Sequence, residues 1–190
     1  ALLPVSLLLI VAGAQSTNAQ KMGPLQIHPE NTRYFMDAQG RAVWLTGSHT
    51  WANMHERGID GETPDFDYDR YLDFLQRHGH NFIRLWAWEH AQWMQFVAKD
   101  VPVRYTPQAY QRKGPGLALD GKPKFDLEKF NSEYFKRLKE WVRLAADNGI
   151  YVSVMLFEGW GLQFSPNAYE NHPFHPQNNL NGISGDGNGD

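Results

Sequence analysis

The stretch that decides the fold is Asn81-Phe82-Ile83-Arg84-Leu85-Trp86-Ala87-Trp88-Glu89. A β-strand has a side-chain period of two, so alternate residues from Phe82 share one face and those from Ile83 share the other. Both faces are largely apolar, which is typical of a strand covered on both sides in a parallel sheet. The strand runs out into two tryptophans and a glutamate, so we expect a binding rim at its end.

Arg84 lies in the middle of this strand, among apolar neighbours. A buried guanidinium persists in a protein only where a carboxylate or several acceptors meet it. We therefore expect a carboxylate from elsewhere to pair with Arg84.

Two amphipathic helices are predicted, each followed closely by a strand. The first begins at Asp67 or Asp69 and the second covers about 131–148, and both end at a glycine placed as a left-handed cap, Gly79 and Gly149. Strands are predicted at the positions after these glycines, 81–86 and 150–157, and before the first helix at 42–47.

The joins after the helices are short, whereas the joins after the strands are long. This asymmetry is typical of a (β/α) barrel, in which functional loops gather at the carboxyl ends of the strands. The predicted fold class is α/β, the amino-terminal portion of a (β/α)8 TIM barrel, with an N-terminal hairpin turning at Gly40 and about three βα units. An open Rossmann-like sheet is disfavoured, because Gly47 leads into a long aromatic loop and not into a short glycine-rich turn.

The first nineteen residues differ in composition from the rest of the chain. They carry no charge, are apolar over 2–12, and place Thr17 and Ala19 where a signal peptidase would cleave. Residues 1–19 are predicted to be a signal peptide remnant, which implies a secreted or periplasmic protein with no membrane association after its removal. Residues 20–190 are predicted to be one partial domain, truncated at its C-terminus, because a barrel needs roughly 250 residues.

The overall composition narrows the classes of partner. With 42% hydrophobic residues and a net charge of -3, the chain can bury one core but has no basic footprint for nucleic acid. It has no cysteine, which excludes thiol chemistry and disulfides.

Indoles, carboxylates and imidazoles follow the predicted strands. Flat aromatic faces stack on the C–H face of a sugar ring, while carboxylates and imidazoles bond its hydroxyls. The pattern predicts a carbohydrate partner, bound by His49, Trp51, Trp86, Trp88, Glu89, His90, Glu158 and Trp160. For Trp86, packing in the barrel is an equal alternative.

The remaining histidines predict no metal site, and no cofactor is expected. His78 and His80 flank a capping glycine at the end of the strands opposite the rim, and His172 and His175 lie in a proline-rich segment that they are expected to order. The tail 186–190 begins like a calcium loop but lacks the later glutamate, so a solvated turn is favoured.

Glu89 and Glu158 invite a general-acid and nucleophile assignment for glycoside cleavage. A glutamate just past a strand is about as often a hydroxyl-binding residue or a loop ion pair. Their direct role in catalysis stays open.

The hairpin at Gly40, the strand at 43–47 with Trp51 beyond it, the strand at 81–86 and the segment 149–152 together have a familiar order. They resemble the amino-terminal part of cellulase-like glycoside hydrolases of clan A, the family-five type, or an uncharacterised bacterial relative, over roughly 24–160. The resemblance implies a glycosidase domain that acts on a poly- or oligosaccharide by retaining double displacement.

In that family an arginine on the second strand meets the nucleophilic glutamate, so the resemblance implies that Arg84 supports catalysis by keeping this carboxylate ionised. The family places its acid/base in an Asn-Glu pair, and this dipeptide does not occur in the chain. We therefore expect the catalytic acid/base and nucleophile beyond residue 190 and expect this chain alone to be inactive. The strand ending at Glu158 departs from the family, many members of which have histidine there. The alternative is a non-catalytic carbohydrate-binding or adhesion domain on a barrel-like scaffold.

Overall fold

The computed structural model describes residues 22–50, 52–59, 64–93, 103–157, 159 and 168–187. Its elements in chain order are β1 Gln26–Ile27, β2 Phe35–Met36, β3 Ala42–Val43, β4 Glu56–Gly58, α1 Tyr68–Arg77, β5 Phe82–Leu85, β6 Gln92–Trp93, β7 Val103–Thr106, β8 Tyr110–Leu117, β9 Pro123–Phe130, α2 Ser132–Asp147, β10 Tyr151–Val154 and a 3-10 turn at Tyr169–Asn171. None of the helices in this part of the chain is long and apolar enough to cross a membrane.

The strands form four small sheets, and three of these are antiparallel. Their orders are β1-β2-β3, β4-β7-β6 and β8-β9, while β5 and β10 pair in parallel. With mostly small antiparallel sheets and only two α-helices among the described residues, the prediction of a TIM barrel portion is wrong. The physical reason lies between β5 and α2, where the chain forms antiparallel strands. There Gly114-Pro115-Gly116 interrupts any helix, and the prolines and glycines suit a hairpin with irregular register.

The two helices begin and end where local signals predict. The Asp67 side chain caps α1 by accepting a hydrogen bond from the backbone N–H of Arg70 at 2.9 Å. Asn131 caps α2 in the same way, and Gly79 and Gly149 follow the helices with positive φ. These boundaries are confirmed.

The core lies where α1 and α2 cover one face of the parallel pair. Tyr68 stacks on Trp141 with ring centroids 4.2 Å apart and planes 6° from parallel, which fixes the two helices against each other. Ile83 and Leu85 of β5 point into this core and are almost fully buried. The end of β5 is therefore held rigidly, and the residues that follow it start from a fixed position.

Candidate functional site

A cavity of about 300 Å³ lies beyond the ends of β5 and β10. Its polar groups include Glu89, Gln108 and His172, and its aromatic walls are Trp88, Tyr110, Phe130, Tyr134, Phe135, Phe157 and Phe174. Ligand pockets span about 300 to 1,000 Å³, so this cavity suits a small ring molecule. Aromatic walls with a few polar groups are what a sugar ring needs, with faces to stack on and partners for its hydroxyls.

Glu89 and His172 face each other in this cavity. His172 Nε2 lies 3.8 Å from Glu89 Oε2, and the two side chains are only 5% and 19% exposed. His172 Nδ1 accepts a hydrogen bond from the backbone N–H of Phe174 at 3.1 Å. Because Nδ1 accepts, the neutral imidazole carries its proton on Nε2, the atom that faces Glu89.

His172 is held in place by a buried asparagine in its own loop. Asn178 Nδ2 donates to the carbonyls of Glu170 and His172, at 2.7 and 2.9 Å. Its Oδ1 accepts from the backbone N–H of Leu119, at 2.9 Å, in the turn between β8 and β9. One side chain thus fixes the loop to the hairpin.

Asn179 does the same for the second half of the loop. Its Nδ2 donates to the carbonyls of Pro173, His175 and Ile183 at 2.9 to 3.1 Å. Its backbone forms a bridge to Phe125 of β9. The side-chain amide satisfies carbonyls in a segment without regular structure, which is how a buried loop stays stable.

His55 fixes the backbone on the other side of the cavity wall. Its Nδ1–H donates to the carbonyl of Pro107 and its Nε2 accepts from the backbone N–H of Trp88, both at 2.9 Å. Burial is the main cause that lowers the pKa of His55 to about 4; the bond to Pro107 opposes the shift, and the nearby charge of Arg137 adds to it. His55 is therefore a neutral structural residue that places Trp88.

Asn53 holds the residues just after β5 in a similar way. Its Nδ2 donates to the carbonyl of Arg84 at 2.9 Å, and its Oδ1 accepts from the backbone N–H of Trp86 at 2.6 Å. The Asn53 side chain thus makes the backbone hydrogen bonds that a neighbouring strand would make at the point where β5 ends. Neither Asn53 nor His55 was predicted as part of the site, because each acts on backbone far away in the sequence.

Among the predicted binding residues that the structure describes, Trp88 and Glu89 line this cavity. His90 instead lies fully buried behind it, packed edge-on against Trp88 with centroids 4.9 Å apart. Burial, with smaller contributions from His172 and His55, lowers the pKa of His90 to about 3. Its place is in the core, although its role as a binding residue remains a prediction.

The other predicted residues lie elsewhere. Trp86 is half-buried and stacks parallel to Trp88 at 6.1 Å, and the exposed His49 lies 5.2 Å from its ring. Arg84 is exposed, in register with Ser153 of β10, so the expectation that it is buried is wrong: its face of β5 is open. Three predicted residues lie outside the described part of the chain, namely Trp51, Glu158 and Trp160.

Two tyrosines that the sequence did not single out face Glu89. Burial, together with the negative charge of Glu89, raises the pKa of Tyr134 to about 12. The same two causes raise the pKa of Tyr110. Both phenols stay protonated near neutral pH, so both can donate a hydrogen bond to a ligand.

A second cavity of about 440 Å³ adjoins the first and shares Gln108 and Tyr110 with it. Arg112 lines it, pairs with both oxygens of Asp120 at 3.0 and 2.6 Å, and lies 3.9 Å over the Phe125 ring. The guanidinium is held by a carboxylate and an aromatic face, which stiffens the hairpin that carries Tyr110.

Comparison with known proteins gives one family. The family model described as "Apiosidase-like, catalytic domain" matches residues 29–181, a range that includes Trp88, Glu89 and His172. No curated protein and no solved structure matches the chain. The match confirms the expectation of a glycosidase, while the narrower family-five type is not confirmed by it.

Proposed function

Since the chain belongs to the family of apiosidase-like catalytic domains, and hence has a glycosidase-related function, we propose that it hydrolyses a glycosidic bond of an oligo- or polysaccharide. The observation that carries this proposal is the aromatic cavity with Glu89 and His172 in its wall. One sugar ring occupies this cavity, stacked on its aromatic side chains. The first substrates to test are apiosides, because the description of the family names an apiosidase.

We also propose the retaining mechanism. A carboxylate attacks the anomeric carbon, the glycosidic oxygen leaves with a proton from an acid, and water then hydrolyses the glycosyl-enzyme. In this mechanism Arg84 keeps the nucleophilic carboxylate ionised, and Glu89 binds the sugar. Support for the role of Arg84 is the resemblance carried by the strand at 81–86, together with a side chain that is accessible on the face of β5 opposite the core.

A secreted or periplasmic location belongs to the same proposal. It is supported by the uncharged, apolar stretch at 2–12 and by the lack of any cysteine. Export would bring the enzyme to polysaccharide outside the cytoplasm. Detection of the protein in the culture medium or periplasmic fraction of its host tests the location.

Hydrolysis of 4-nitrophenyl apioside by the natural full-length protein tests the function. We expect release of 4-nitrophenol, and ¹H NMR of the first product should show the anomeric configuration of the substrate. Glu89→Gln should raise KM about tenfold or more, because the amide loses the charge that strengthens a hydroxyl bond. Asp147→Asn on the exposed face of α2 is the matched control and should leave KM unchanged.

Three outcomes would contradict parts of this proposal. An inverted product would exclude double displacement. Sugar binding without any hydrolysis would favour the non-catalytic carbohydrate-binding alternative. Neither binding nor hydrolysis of any glycoside in a panel of pentosides and hexosides would refute the function as a whole.

A further inference from the structure

A buried donor, His172 Nε2, and the partly buried carboxylate of Glu89 face each other in the wall of the sugar cavity. The 3.8 Å between His172 Nε2 and Glu89 Oε2 is too long for a direct hydrogen bond. His172 Nε2 is buried and makes no hydrogen bond to any described residue. A buried N–H without an acceptor is unfavourable, so this geometry indicates that something else accepts its hydrogen.

The chemistry of the pair defines what fits between the two atoms. His172 offers a donor at Nε2, because its Nδ1 already accepts from Phe174. The carboxylate of Glu89 offers only acceptors. A hydroxyl group both accepts and donates a hydrogen bond, so it can bond to both groups at once, whereas a carbonyl, an ether or an ammonium can bond to only one of them.

The distance also suits a hydroxyl. An oxygen placed about 2.8 Å from each of two atoms that are 3.8 Å apart subtends about 85° between them. This angle at the hydroxyl oxygen is somewhat smaller than the tetrahedral value, and a small movement of either side chain widens it. Hydrogen bonds in ligand-free sites commonly tighten in this way when the ligand binds.

We propose that Glu89 and His172 form a clamp for one hydroxyl of the sugar, in which His172 Nε2–H donates to the hydroxyl oxygen and Glu89 accepts its hydrogen. This inference rests on the proposed function and adds to it the pair of residues that sets specificity for one sugar hydroxyl. The clamp rejects a sugar that is deoxygenated at that position, because the buried His172 Nε2–H is then left without an acceptor, and it rejects an O-methylated sugar, because the ether offers Glu89 no hydrogen. The loop held by Asn178 makes the rejection strong, because its bond to the His172 carbonyl limits how far His172 can move away.

The tautomer of His172 tests the clamp without any sugar. In ¹⁵N NMR spectra of the histidine side chains, we expect His172 to be the Nε2–H tautomer, while His55 serves as an internal reference with the opposite Nδ1–H tautomer. Signals are assigned by their loss in His172→Asn and His55→Gln. A proton on Nδ1 of His172 would overturn the clamp, because Nε2 could then not donate.

Binding of analogues tests the same pair with a ligand. The probes are 4-nitrophenyl apioside and its analogues deoxygenated at one hydroxyl each, titrated by calorimetry against four proteins. His172→Asn keeps an acceptor for the Phe174 N–H and removes the donor, while His172→Gln keeps a donor near Nε2 and removes that acceptor. His175→Gln, in the same loop, is the control.

The wild type should bind one deoxy analogue roughly 100-fold more weakly than the parent glycoside. His172→Asn should bind the parent about as weakly as the wild type binds that analogue, and should lose its discrimination, whereas His172→Gln should keep part of it. Equal discrimination in His172→Asn and the wild type would overturn the clamp, and so would equal binding of all analogues by the wild type. If neither the parent nor any other glycoside of the panel binds the wild type, the proposed function fails, and this result differs from either failure of the clamp.

Discussion

Mild acid should destabilise this domain through two buried histidines. In the folded state His55 has a pKa of about 4 and His90 a pKa of about 3, because burial opposes their charged forms. In the unfolded chain each titrates near the ordinary value of 6.5. Both folded-state pKa values lie below the unfolded value, so the unfolded chain binds more protons. The stability from the neutral rings is fully present above pH 6.5 and is lost as the pH falls toward 4 and 3.

The size of the effect follows from these pKa values. One pKa unit corresponds to about 1.4 kcal/mol, so at pH 5 each histidine removes about 2 kcal/mol from the free energy of unfolding. Together they remove about 4 kcal/mol, which is a large part of the ~5–15 kcal/mol that stabilises an ordinary domain. Protonation of His55 also removes the acceptor of the Trp88 backbone N–H. The hydrogen bond that is lost is therefore one that places Trp88 in the wall of the sugar cavity.

Urea denaturation followed by tryptophan fluorescence at pH 7, 6 and 5 measures this loss. His55→Gln removes one titrating group while keeping a donor and an acceptor, so we expect its free energy of unfolding to fall about 2 kcal/mol less between pH 7 and 5 than that of the wild type. His78→Gln, an exposed position after α1, is the control and should leave the slope unchanged. A wild type whose stability is the same at pH 7 and 5 would refute the reasoning, as would an equal change of slope in the two variants.

Three further changes test the parts that support the site, each by urea denaturation at pH 7. Asn178→Ala should destabilise the domain by about 2–4 kcal/mol, because it leaves buried backbone groups without partners, whereas the exposed Gln177→Ala should change little. Asp120→Asn should lower stability by roughly 1–3 kcal/mol, since it removes the negative charge that is paired with Arg112, a side chain only 20% exposed. Trp141→Ala should lower the free energy of unfolding by about 3–5 kcal/mol, because it removes the ring stacked on Tyr68. For any of these variants, stability near that of the wild type would contradict the importance of the contact that the substitution removes.

The parts of the fold that sequence reasoning found depend on neighbouring residues. A helix start at Asp67 and a helix end at Gly79 are local features, because a cap acts within one turn of the chain. The antiparallel sheets formed by β4 and by β6 to β9 could not be found in this way. The strand β7 pairs with β4 through residues far apart in the sequence, and although β8 and β9 form a local hairpin, the glycines and the proline in β8 gave that segment the look of a loop. Tight helix-to-strand joins were consistent with a barrel, but they do not determine which strands pair.

In the candidate site, too, the residues that could be predicted are those whose placement depends on their neighbours in the sequence. Trp88 and Glu89 could be found because they follow an apolar strand, and residues after such a strand lie at the edge of the sheet. The sequence does not distinguish His90 from these two residues, because β5 ends at Leu85 and the alternation of faces along the strand does not continue beyond it. His172 was predicted only to order its loop, which it does through Phe174. Its second contact, with Glu89, depends on where Asn178 fixes that loop, and nothing near His172 in the sequence specifies this.

Two histidines in opposite tautomers lie at the two ends of the short Trp88-Glu89 segment. His55 accepts from the Trp88 backbone and is inert toward ligands because both its nitrogens are used. His172 has one nitrogen used by its loop and the other directed at Glu89. The same side-chain type therefore serves as scaffold in one place and as recognition group in the other, and the difference is made by which nitrogen the surrounding backbone occupies. This is why the count and spacing of histidines in the sequence could not separate the two roles, whereas the hydrogen bonds of each ring do.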